Sequence, residues 1–155
     1  MHVIAAKAVC FGEAMKPDFA RYAAQVVANS QTMAQELSEA GLRLVSGGTD
    51  NHLMLVDLTR LGITGQEADS ALEQAGIIAN KNAIPFDPRP PRVTSGLRLG
   101  TAAITSRGFE ETAVRQVARM IVEVLNSKGD KKVQRRVADE VKELTSRFPV
   151  PGLDF

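Results

Sequence analysis

Apolar residues recur at helical spacing along some stretches of the chain and alternate with polar ones along others. Residues 1–15 are apolar and alanine-rich, with Val3, Ile4, Ala5, Ala6, Ala8, Val9 and Phe11. They suit a helix, but one apolar on too many sides to keep a single wet face, so the segment asks for burial on more than one side. Pro17 fits the first turn of a second helix. That helix carries Phe19, Tyr22, Ala23, Val26, Val27, Met33, Ala34 and Leu37 at helical spacing. Gly41 is its stop signal.

The period then changes to two. Residues 42–46 (LRLVS) alternate like a strand, residues 47–51 (GGTDN) are turn formers, and residues 52–58 (HLMLVDL) form a second strand. Together they predict an antiparallel pair. Thr64 and Glu67 make a capping-box pattern that opens a helix through Ala68, Ala71, Leu72 and Ala75 to Gly76. Residues 77–80 (IIAN) are a possible short strand. The next stretch, KNAIPFDPRPPR, holds Pro85, Pro88, Pro90 and Pro91. Prolines at this density exclude a helix and stiffen a loop.

A short strand around Leu97, Arg98 and Leu99 follows. Two helices close the chain, one striped by Val114, Val117, Ala118, Ile121 and Leu125, the other by Val133, Val137, Val141 and Leu144. The order is helices, strands, helix, strands, helices. It predicts an α/β fold: a small, mostly antiparallel sheet covered by helices on one face, a two-layer sandwich.

Composition narrows the function. The 155 residues are 44% hydrophobic with a net charge of +1, the signs mixed along the chain. That is enough apolar material for a core and argues against a broad nucleic-acid surface. The charges on the last helix are mixed too: Lys131, Lys132, Arg135 and Arg136 are balanced by Asp139, Glu140 and Glu143. No apolar run approaches the roughly 18 residues of a membrane span. The first residues lack the pattern of a secretory signal. Cys10 is the lone cysteine; without a disulfide framework the expected compartment is the cytoplasm. In its apolar segment Cys10 reads as a buried small hydrophobe, and His52 as a surface or turn residue. No zinc-ligand spacing, Walker motif, GxGxxG or GxSxG occurs.

Two stretches carry candidate chemistry. In VTSGLRLGTAAITSRG, Leu97 and Leu99 share one face of the strand, so Arg98 points to the other, between Gly96 and Gly100. A guanidinium offers a planar fork that matches a carboxylate or phosphate with two parallel bonds. The glycines allow a ligand close to the backbone. A solvated strand arginine, or one in a structural ion pair, also fits the local pattern, since alternating strands commonly carry exposed charges. In NKNAIPFDP, Asn80 and Asn82 can each donate and accept, which suits a flat heterocycle; a polar connecting loop fits as well.

Four stretches taken together go further: MHVIAAKAV, LVSGGTDNHLMLVDL, NKNAIPFDP and VTSGLRLGTAAITSRGF, in that order. The set closely resembles the C-terminal part of the serine hydroxymethyltransferases, over residues 1 to about 150. The resemblance implies a pyridoxal-phosphate enzyme that moves a one-carbon unit between serine or glycine and tetrahydrofolate. Arg98 stands where the family grips the carboxylate of the amino-acid substrate. Asn82, Pro90, Pro91 and Arg92 stand where it contacts the folate. Pro90-Pro91-Arg92 replaces the family's usual Ser-Pro-Phe, and Gly100-Thr101-Ala102-Ala103 its Gly-Thr-Pro-Ala.

The family's cofactor lysine ends a threonine-rich His-Lys stretch, and its phosphate loop is glycine-rich. Both belong upstream of residue 1. The resemblance therefore implies a C-terminal fragment, inactive alone. Residues 1–15 would be a helix of the large domain, and residues 16–155 the small C-terminal domain of a fold-type I pyridoxal-phosphate enzyme. Lys81, in a polar loop without a desolvated pocket or phosphate site, is not expected to replace the cofactor lysine. The parent is expected to be a homo-oligomer. The alternative is a stand-alone module that binds an amino acid or another carboxylate through Arg98.

Overall fold

A computed structural model describes residues 1–152. The chain runs α1 (His2–Ala14), α2 (Pro17–Glu39), β1 (Arg43–Leu44), β2 (Leu53–Asp57), a 3-10 turn (Thr59–Leu61), α3 (Gly65–Gln74), β3 (Asn80–Asn82), β4 (Gly96–Gly100), α4 (Ala102–Ser106), α5 (Glu111–Asn126) and α6 (Lys131–Ser146). The four strands form one antiparallel sheet in the order β1-β2-β4-β3.

The two faces of the sheet differ as the alternation requires. Met54, Val56, Leu97 and Leu99 are buried on one face, against Met33 and Leu37 of α2, Leu72 of α3, and Val114, Ile121 and Val124 of α5. Val137 and Leu144 bring α6 into the same core. On the other face Arg98 and Gly100 are exposed, and Leu53 and Leu55 are half-buried. The molecule is thus the expected two-layer α/β sandwich.

Local signals position the elements around that sheet. The Thr64 hydroxyl accepts from the Glu67 amide at 3.0 Å, and Glu67 accepts from the Thr64 amide at 2.7 Å, closing the capping box of α3. Gly41 and Gly76 follow α2 and α3 with φ of 86° and 77°, the left-handed geometry of a helix stop. In the core, Asn29 of α2 is fully buried. It donates to Thr105 Oγ1 at 2.9 Å and to the Phe109 carbonyl at 2.8 Å, and accepts from Gln25 at 3.1 Å. Thr101 donates to the Val26 carbonyl at 2.9 Å. These bonds tie α2 to the segment that follows β4.

Three local expectations are corrected and one element is added. Strand β1 covers two residues rather than 42–46, because the chain already turns at Leu44, whose carbonyl accepts from the Gly47 amide at 3.1 Å. The third strand lies at Asn80–Asn82, not at 77–80: the Ile77 amide is spent on the Leu72 carbonyl (2.9 Å), finishing α3, so pairing with β4 begins later. Residues 102–106 form a separate short helix, α4. Cys10 is exposed rather than buried. It sits on α1, which is helical but buries none of its residues and leaves Val3, Ile4, Val9 and Phe11 open to solvent.

Candidate functional site

The open face of the sheet carries the residues that the sequence singles out. Register places Leu55, Arg98 and Asn80 in one cross-strand row, on β2, β4 and β3. The next row is Arg43, Asp57, Gly96 and Asn82. Arg98 and Asn82 therefore share a face and sit on adjacent strands, one row apart.

Arg98 has a single polar partner among the described residues: its Nη2 donates to Asn80 Oδ1 at 3.4 Å. It joins no ion pair among them. The carboxylate of the neighbouring row is already committed. Asp57 is buried and accepts from the Thr59 amide at 2.8 Å, from the Thr59 hydroxyl at 2.5 Å and from the Arg43 guanidinium. Burial works to raise its pKa, but the Thr59 hydroxyl and amide and the Arg43 charge outweigh it and hold the carboxyl below its ordinary value. Among the described residues the fork of Arg98 is thus exposed and paired with no carboxylate.

The two glycines beside Arg98 do different work. A Cβ on Gly96 would lie 2.7 Å from Ile84 Cγ2 and 2.8 Å from the Asn82 carbonyl, so this glycine makes room for the loop. A Cβ on Gly100 would meet only the His52 carbonyl at 3.5 Å and Leu53 Cβ at 4.0 Å. Only at Gly100 is the bare backbone open to an approaching molecule.

The loop from 83 to 95 is built around Asp87. Its carboxylate accepts from the Ile84 amide (3.1 Å), the Arg89 amide (3.0 Å), the Ser95 amide (2.8 Å) and the Ser95 hydroxyl (2.6 Å). Desolvation raises its pKa, yet the Ser95 hydroxyl and the three amides prevail and lower it to about 2. The loop then docks on α3. The Gly65 and Gln66 amides donate to the Thr94 and Val93 carbonyls, each at 3.0 Å, and Arg89 Nη1 donates to the Ile63 carbonyl at 3.0 Å. Gly65 is required there, since a Cβ would fall 2.2 Å from Thr94 Oγ1 and 2.5 Å from the Gly96 carbonyl. Thr94 itself is buried at φ 58°, its hydroxyl without a partner among the described residues.

This frame fixes the remaining residues. Asn82 is half-buried; its amide nitrogen donates to the Ala83 carbonyl at 2.8 Å, leaving its side-chain oxygen without a donor among the described residues. Pro90, Pro91 and Arg92 are exposed on the tight turn where the Pro90 carbonyl accepts from the Val93 and Thr94 amides, at 2.9 and 3.1 Å. That turn leads into the Gly96 end of β4, where Asn82 also lies. Lys81 pairs with Leu97 and so faces the helices, on the side of the sheet opposite Arg98. His52 is exposed at the start of β2. Among the described residues no cluster of His, Cys, Asp and Glu could hold a metal, and no helix is long and apolar enough to cross a membrane. A broad cleft of about 820 Å3 opens between α3 and the α5–α6 turn, but none of Arg98, Asn80 or Asn82 lines it.

Sequence reasoning missed the contact between Asn80 and Arg98, and the role of Asp87 as the centre of the loop. The first needed the register of β3. The second left only the Asp-Pro pair of PFDP as a trace.

Comparison with known proteins gives a consistent result. The family model described as serine hydroxymethyltransferase matches residues 1–121. The chain is 54% identical over 153 residues to a serine hydroxymethyltransferase of Rippkaea orientalis (strain PCC 8801 / RF-1), covering 98% of this chain and 36% of that protein. It is 56% identical over 156 residues to the serine hydroxymethyltransferase of Paracoccus denitrificans (strain Pd 1222), covering 97% and 36%. The chain thus spans about a third of the length of these relatives.

Proposed function

The chain belongs to the serine hydroxymethyltransferase family, and from this we propose that it contributes the substrate-carboxylate anchor and one side of the folate site to a longer enzyme. That enzyme would convert serine and tetrahydrofolate to glycine and 5,10-methylenetetrahydrofolate. The observation that carries the reading is the Arg98 fork, exposed on the open face of the sheet and bound to no carboxylate among the described residues. A bidentate pair with a carboxylate is what such a fork is shaped for.

In this reading Arg98 holds and orients the amino acid. Asn82 offers its free side-chain oxygen to a donor on the folate's heterocycle, and Pro90, Pro91 and Arg92 border that site. The pyridoxal phosphate of the family does not fit the residues of this chain. Lys81, on β3 rather than in a loop, is exposed and lies across the sheet from Arg98. The chain's part is binding and orientation, within a parent that is a homo-oligomer.

The test is Arg98→Lys in the complete enzyme. Lysine keeps the charge and loses the fork. A hydrogen bond to a charged group is worth about 1.5–3 kcal/mol, so kcat/KM for serine should fall at least tenfold while the visible cofactor band is retained. Unchanged kinetics in a folded variant would remove Arg98 from the site.

A further inference from the structure

We propose that Asn80 is a positioning residue for Arg98: it selects which edge of the guanidinium stays free for the substrate. The inference rests on the reading of Arg98 as the carboxylate anchor. A guanidinium has two edges that can each give two parallel hydrogen bonds to a carboxylate, one between the two Nη atoms and one between Nε and Nη2. Nη2 supplies one hydrogen to each edge. Asn80 Oδ1 takes a hydrogen of Nη2 at 3.4 Å, so one edge is engaged and the other remains for the ligand.

The placement follows from the backbone. Asn80 lies directly opposite Arg98 in the β3–β4 register. On the other flank Leu55, opposite Arg98 on β2, is apolar and offers no acceptor. The arginine therefore has an acceptor on one side only, and its plane is turned by that one contact. The amide suits the task because it is neutral. A carboxylate at the same place would take the fork for itself, as Asp57 takes Arg43 one row away.

The experiment is a double-mutant cycle in the complete enzyme, read by steady-state kinetics with serine and by equilibrium binding of glycine. Asn80→Ala should raise KM for serine and Kd for glycine about three- to tenfold, with kcat within about twofold, as expected for loss of one long intramolecular hydrogen bond of ordinary net strength. Asn80→Asp should weaken both more than Asn80→Ala does, because it supplies a competing carboxylate. Both effects should vanish when Arg98 is already lysine, since contacts in one network couple. If Arg98→Lys cripples the enzyme while Asn80→Ala changes neither constant, the positioning role is wrong and the anchor stands. Equal losses from Asn80→Ala in both backgrounds also overturn it. If Arg98→Lys is itself harmless, the reading beneath it fails.

Discussion

Asp87 and Ser95, eight residues apart, are joined twice: the Asp87 carboxylate accepts from the Ser95 amide at 2.8 Å and from the Ser95 hydroxyl at 2.6 Å. The bond pair closes the loop at the point where β4 begins. Because the folded carboxyl titrates near 2, below its ordinary 3.8, the loop is favoured fully above that ordinary value. The advantage is lost as pH falls through about 2. The Asp87 carboxyl carbon, followed by NMR, should therefore titrate with a midpoint near 2 in the folded chain. In Asp87→Asn the Ser95 amide should lose its protection from hydrogen exchange at neutral pH. A midpoint near 4 would show that the carboxylate is not held as described.

Gly65→Ala should destabilise the chain by roughly 1–3 kcal/mol, the usual cost of overpacking a filled site. Helix propensity alone predicts the opposite sign, since alanine is the better helix former. The clash with Thr94 Oγ1 and the Gly96 carbonyl decides it. Gly100→Ala, where the new methyl meets only ordinary contacts, should change stability by less than about 0.5 kcal/mol. Urea unfolding of both variants distinguishes a packing requirement from a general sensitivity to alanine.

Asn29→Ala removes a fully buried amide with three protein partners. The Phe109 carbonyl then keeps its place in the core without its donor, which costs about 1–3 kcal/mol. The denaturant midpoint should drop accordingly with an unchanged slope. No drop would mean that water replaces the side chain.

Pyridoxal phosphate mixed with the chain and reduced with borohydride should leave no stoichiometric adduct at Lys81. A Schiff-base lysine needs a desolvated pocket, and Lys81 is exposed on β3. Mass spectrometry would identify such an adduct, and finding it at full occupancy contradicts the fragment reading.

Helix α1 leaves Val3, Ile4, Val9 and Phe11 exposed and buries nothing. Thirteen residues are too few for a stable helix in water on their own, and an exposed apolar patch of this kind is rarely tolerated by a monomer. The chain should self-associate through α1 or lose that helix. A version that starts at Lys16 should be monomeric and equally stable. Light scattering with limited proteolysis decides; a monomeric full chain with a protected α1 contradicts the expectation.

Much of the architecture could be read from local chemistry. The Thr64–Glu67 capping box, the helix stops at Gly41 and Gly76, and the outward turn of Arg98 depend on residues close in sequence. What escaped depends on partners far away. Ile77 and Ile78 have the side chains of a strand, yet β3 starts at Asn80, because the end of α3 holds the Ile77 amide. Asn29 reads as one more polar residue of α2 until Phe109 and Thr105 arrive beside it. The Arg98 region was legible from motif; its contact with Asn80 required the register between strands.

The four bonds to Asp87, together with the docking of residues 93 and 94 on α3, turn the span between Asn80 and Arg98 into a part of fixed length. One residue added or deleted between Ile84 and Ser95 would pull at least one amide off the carboxylate. An insertion scan should find this stretch intolerant while the glycine turn at 47–48, where added Cβ atoms meet nothing within 4 Å, accepts extra residues. Variation in the segment facing the proposed ligands is then confined to exchanging side chains, as at Pro90 and Arg92. Affinity can be retuned there one substituent at a time, without lengthening the chain.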